Sequence, residues 1–97
     1  MHARVVTTQM KPEAFDDAVR IYQESVVPAA QAQKGFKHIW LLSDRSTGKS
    51  YSIAVWETEA DMAAGEASGY LKEQLGKFSG LFTAPPVTEH FEVAAEG

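Results

Sequence analysis

Between Gly35 and Phe78 two strand-like runs joined by a tight turn lead straight into a helix with an acidic first turn, and this succession leaves few folds open. Gly35-Phe36-Lys37-His38-Ile39-Trp40-Leu41-Leu42 is rich in aromatic and large apolar residues. Asp44-Arg45-Ser46-Thr47-Gly48-Lys49 has turn chemistry: Gly48 can take a positive φ without a Cβ penalty, while Asp and Ser bond to nearby backbone. Tyr51 to Trp56 reads as the returning strand. Thr58 then stands at an N-cap position, with Glu59 and Asp61 placed to oppose the positive end of the helix dipole.

The flanks complete a fold. Arg4 to Gln9 contains the β-branched run Val-Val-Thr-Thr and reads as a first strand. A helix follows from Pro12, because proline suits the first helical position and Phe15, Ala18, Val19, Tyr22 and Val26 recur at spacings of three and four. Pro28 removes a backbone donor and predicts a kink or restart near Val27. Gly65 and Gly69 divide the second helical region, whose latter part would bury Tyr70, Leu71, Leu75 and Phe78. Val87 to Val93 is a last strand, set off by Pro85 and Pro86. The order β-α-β-β-α-β is the ferredoxin-like arrangement: a four-stranded antiparallel sheet with helices on one face, class α+β.

With 97 residues, 44% of them hydrophobic, the chain can build one modest core, so residues 1–97 are expected to form a single domain. No run approaches the roughly 18 apolar residues of a membrane span, and no signal-peptide pattern opens the sequence, so a cytoplasmic location without membrane contact is the expectation. There is no cysteine, hence no disulfide, thiolate nucleophile or Cys-based metal site. Nine basic against thirteen acidic residues give a net charge of −4, which disfavours nucleic acid as a partner. Lys37 beside Trp40 is a thin basis for RNA stacking.

Thr47-Gly48-Lys49-Ser50 ends like a phosphate-binding loop, but Ser43 stands where that motif needs glycine, and a strand follows instead of a helix. Of the three histidines, His2 lies at the terminus, while His38 and His90 lie in strands. None has metal-ligand spacing, and no metal is expected. His38 shares an alternating face with Phe36, Trp40 and Leu42, company that suits either a core histidine or a base in a pocket.

Seven of the ten Phe, Trp and Tyr residues, among them Trp40, Trp56 and Phe82 as candidate ligand contacts, exceed what a small core needs and could line a cavity for a flat molecule. Strands apolar on both faces, as at Ile39 to Leu42, imply a homodimer through the open sheet face.

Gly35-Phe36, the Asp44 to Lys49 hairpin, Val55-Trp56-Glu57-Thr58-Glu59-Ala60-Asp61, Glu66-Ala67-Ser68 and Ala84-Pro85-Pro86-Val87 with Glu89 together resemble the antibiotic biosynthesis monooxygenase-like family. The resemblance implies a dimeric α+β barrel with a ligand cavity between each sheet and its own helices. It also implies one of two activities: oxygenation of anthrones or quinols without metal or flavin, or heme degradation. The heme-degrading branch relies on an Asn, a Trp and a His. This chain has no asparagine, no histidine between Ile39 and Glu89, and both tryptophans on strands, so that activity is disfavoured. The anthrone oxygenases are likewise associated with an Asn, together with Trp, Tyr and Arg. Trp56, Tyr70 and Arg4 have the right types here, without a matching asparagine.

Two functions remain open on this reading. One is a cofactor-independent monooxygenase acting on a small aromatic or quinol, with His38 or His90 as base and Tyr70 or Arg4 as donor to the substrate anion. The other is a non-catalytic dimer that binds a small hydrophobic ligand or serves a structural role.

Overall fold

Alternation along the first strand sets which way the sheet faces. In β1, His2–Gln9, the side chains of Arg4, Val6 and Thr8 are buried under helices, while Ala3, Val5 and Thr7 turn to the other face. The computed structural model describes all of Met1–Gly97 and continues with β2, Phe36–Ser43, β3, Lys49–Trp56, and β4, Val87–Glu92. The strands form one antiparallel sheet in the order β2-β3-β1-β4. With its helical layer on one face this is the expected α+β ferredoxin-like fold.

The hairpin between β2 and β3 closes as its residues dictate. Asp44 Oδ1 accepts from the Ser46 hydroxyl and backbone N–H at 2.6 and 2.9 Å, bonds that hold its carboxyl below the usual range. Gly48 has φ +78° and presses against the Met10 carbonyl, where a Cβ would collide. Both constraints require glycine.

The helix restarts at Val27, as Pro28 leads one to expect, without ending the helical run. A 3-10 turn at Pro12–Ala14 leads into α1, Phe15–Ile21, then a π-helical stretch over Tyr22–Val26, then α2, Val27–Gln31. The Val27 N–H reaches back five residues to Tyr22 O. Widening the turn just ahead of proline relieves the clash its ring makes with the preceding turn. The second helical region divides at Gly69, φ +86°, into α3, Glu59–Ala67, and α4, Tyr70–Gly76. Thr58 caps α3 by accepting from the Asp61 N–H at 3.1 Å.

Two apolar clusters join the layers. Met10, Ala18, Tyr22, Val26 and Phe78 form one; Ala54, Trp56, Met62 and Tyr70 form the other. Phe36 belongs with the second, which corrects the alternation expected for β2. A bulge between Phe36 and His38 inserts Lys37, pairs Phe36 with Trp56 and His38 with Val55, and so turns the two side chains to opposite faces. Phe36 meets Trp56 edge-on, with ring centroids 5.7 Å apart. His38 is left on the open face.

Trp56 is fully buried between sheet and helices. Replacing it with alanine removes the centre of the second cluster and is expected to cost about 3–5 kcal/mol of stability in chemical denaturation. An unchanged denaturation midpoint would contradict this packing.

Candidate functional site

A cavity lies between the sheet and the helices, on the buried side of β1. Its walls are Arg4, Val6 and Thr8 of β1, Met10 just after it, Tyr22 and Val26 of the first helical region, Ile39 and Leu41 of β2, and Ser52 of β3. Tyr70, Leu71, Gln74 and Leu75 of α4, then Phe78 and Phe82, close it. The space open to the centre of a water-sized sphere is about 50 Å³. That holds several waters, since one needs about 10–15 Å³. A tricyclic molecule would require the wall to move, and a single ring would need far less.

The cavity is chemically graded along β1. At the Met10 end Phe78 and Phe82 stack with centroids 5.7 Å apart and planes 8° from parallel. At the other end stands Arg4, a cation only 3% exposed. Its Nη2 donates to Tyr70 Oη at 2.8 Å, and its guanidinium lies 5.5 and 5.6 Å from the ring centroids of Trp56 and Tyr70. Its Nη1 is buried without a hydrogen-bond partner, 3.9 Å from Glu66 Oε2. A guanidinium does not deprotonate in proteins, so this nitrogen is a permanent, unfilled donor.

Three other polar side chains of the wall already hold hydrogen bonds. Tyr22 Oη donates to the Trp40 carbonyl at 3.1 Å, which leaves its oxygen to accept from Ser52 Oγ at 2.7 Å. Gln74 Oε1 accepts from Ser25 Oγ at 2.8 Å. Burial raises the Tyr22 phenol to about 12, against the opposing pull of the Ser52 hydrogen bond. No carboxylate or imidazole lines the cavity.

The candidate residues therefore divide. Arg4, Tyr70 and Phe82 meet at the cavity. Trp56 stands behind Arg4 and Tyr70 as core, its ring 6.3 Å from that of Tyr70. Trp40 is on the opposite face, 48% exposed, stacked on His38 at 5.3 Å. The desolvation of His38 expected from Phe36 and Trp40 does not occur, because the bulge carries Phe36 to the other face and leaves the imidazole exposed. His90 is the ladder partner of Arg4 and faces the helices, but it lies at the exposed rim, bonded to Glu66 at 2.9 and 3.0 Å. Sequence reasoning missed Glu66, Tyr22, Ser52 and Gln74. The signal for Glu66 was its spacing of seven from Glu59, which puts both carboxylates on one face of α3 toward His90 and His2.

A four-stranded antiparallel sheet under a split helical layer, with a cavity ending at a buried guanidinium, is a ferredoxin-like α+β fold that solved structures share. Solved structures with this fold include a proposed antibiotic biosynthesis monooxygenase from Deinococcus radiodurans, TM-score 0.79 at 15% identity, covering 100% of this chain and 95% of that one. A second, from Caulobacter crescentus CB15, gives 0.79 at 14% identity over 98% and 90% of the two chains. A Nitrosomonas europaea protein of unknown function gives 0.76 at 21% identity over 99% and 91%. The family resemblance thus stands at the level of fold. Uncharacterized proteins from two Mycobacterium tuberculosis strains are 30% identical over 96 residues, 98% of this chain, which spans only 42% of their length. No protein-family model matches the chain.

No helix is long and apolar enough to cross a membrane. No three His, Cys, Asp or Glu side chains are grouped to hold a metal ion.

The raised Tyr22 phenol sets a pH dependence. Between about 10, where tyrosine ionises when unfolded, and about 12, the folded chain holds a proton that the unfolded chain has lost, so stability falls as pH rises through that window. Denaturation midpoints measured across it are expected to decline, and to decline less steeply in Tyr22→Phe. Equal slopes in the two proteins would show that Tyr22 is not the group responsible.

Proposed function

We propose that this chain is a cofactor-independent monooxygenase for a small, single-ring phenol or quinol, held in the cavity with its ionised oxygen on Arg4 Nη1. The observation that carries the reading is a buried, permanently charged guanidinium with one unfilled donor at the end of a largely apolar chamber. An oxyanion satisfies it without burying a further unpaired charge. Tyr70, fixed by its bond to Arg4, is the adjacent polar group.

The chemistry follows from stabilising the anion. Arg4 favours the ionised hydroxyl and leaves its proton to solvent, so the cavity needs no base of its own for a substrate of moderate acidity. The electron pair of the phenolate, delocalised to a ring carbon that bears hydrogen, forms a bond to dioxygen. The resulting peroxide takes a proton and loses water together with that carbon's hydrogen. One oxygen atom remains as a carbonyl and the other leaves as water.

The partner in this reading is a second copy of the chain. The uncovered sheet face presents Trp40, Leu42, Tyr51, Val87 and Phe91, each at least 37% exposed, around Ile53 and Val55. So much contiguous apolar surface is characteristic of an interface, and an obligate one covers more than about 2,000 Å² in total. Analytical ultracentrifugation is expected to find a dimer at micromolar concentration; a folded monomer there would rule it out.

A second reading, a binding protein without turnover, draws on the absence of any carboxylate or imidazole from the cavity wall. Oxygen-electrode measurements with single-ring hydroquinones separate the two. The enzyme reading expects uptake well above buffer in chelator-treated protein, reduced roughly 10²-fold or more in Arg4→Met, as for loss of an oxyanion donor. His38→Ala should leave it unchanged. Traces no faster than buffer for the wild type, with the quinol nonetheless bound, would establish the second reading.

A further inference from the structure

We propose that His90 and Glu66 are positioning residues for Arg4: His90 holds the Glu66 carboxylate off the guanidinium and so leaves Arg4 Nη1 without an acceptor, free to bond an anionic oxygen. This rests on the cavity being an oxyanion site and adds what keeps that site unblocked. His90 and Arg4 are ladder partners on β4 and β1, so their side chains rise together toward α3, where Glu66 meets both. Both Glu66 oxygens lie on His90 Nε2, at 2.9 and 3.0 Å, whereas Arg4 Nη1 is 3.9 Å from Oε2, beyond hydrogen-bond reach.

The two contacts compete for one carboxylate. A movement of about 1 Å would bring Glu66 onto Nη1, and charge-assisted bonds to a buried guanidinium are among the stronger ones available in a protein. His90 is what draws the carboxylate the other way. The charged groups around the imidazole are Arg4 and His2 from β1, Glu66 and Glu59 from α3, and Glu92 on β4 itself. Glu59 is bound to His2 Nε2 at 2.9 Å, which leaves Glu66 as the carboxylate bonded to His90. A protonated imidazole grips a carboxylate more firmly than a neutral one. Glu66, 25% exposed, has room to swing inward when His90 does not hold it.

Calorimetric titration with benzenesulfonate, an anion ionised throughout the working range, measures the open site in the full-length chain. Binding is expected in the wild type. His90→Ala should weaken it roughly tenfold. Adding Glu66→Gln to that variant should restore binding, which no merely structural role for His90 predicts. A crystal structure of ligand-free His90→Ala should show Glu66 within about 3.2 Å of Arg4 Nη1. Glu66 remaining in its present place in that crystal, or affinities equal between wild type and His90→Ala, would overturn the proposal. A closed Glu66 in the crystal together with no benzenesulfonate binding to wild type would uphold the His90 role and overturn the oxyanion reading instead.

Discussion

The buried guanidinium of Arg4 is the constraint around which this structure is arranged. A cation in that position loses most of its hydration, at an effective cost of several kcal/mol, and cannot shed its proton to escape it. The surroundings offset this with the Tyr70 hydroxyl, the faces of Trp56 and Tyr70, and Glu66 at longer range. Each partner comes from a different element. Arg4 thereby links β1, the end of β3, α3 and the start of α4.

That dependence gives physical meaning to details of the helical layer. The break at Gly69 lets α4 begin with Tyr70 directed at the sheet, so its hydroxyl reaches Arg4. The bulge at Lys37 brings Phe36 against Trp56, closing the side of the ring that Arg4 does not cover. The π-helical turn before Pro28 carries Tyr22 and Val26 into the cavity wall while allowing the helix to continue. The π-helical turn and the break at Gly69 set residues of the chamber wall, and the bulge packs the core behind it.

Most of the fold was legible because its signals are local. Alternation in the strands, the Thr58 cap, the Asp44 and Gly48 turn and the glycine break at 69 act over a few residues, and composition expresses them directly. Arg4 was a readable clue of another kind, a charge in register with Val6 and Thr8 on a face that had to be buried. What could not be read depended on pairing across the sheet. The bulge that separates Phe36 from His38 is a property of two strands together, and with it went the expected burial of His38. Trp40 was assigned to a cavity for its ring alone, although its register with Ile53 places it on the open face. The role of Glu66 emerges only when β4 lies beside β1, which sets His90 next to Arg4.

The central claim is that an oxyanion-bearing ring belongs against Arg4 inside the cavity. Crystals soaked with 4-bromophenol and measured at the bromine absorption edge test it most directly, because the anomalous peak fixes the position of the ring and the refined density fixes its oxygen. The account predicts bromine between the sheet and α4, with the phenol oxygen within about 3.2 Å of Arg4 Nη1. A vacant cavity, with bromophenol bound only on the open sheet face or elsewhere on the surface, would contradict it.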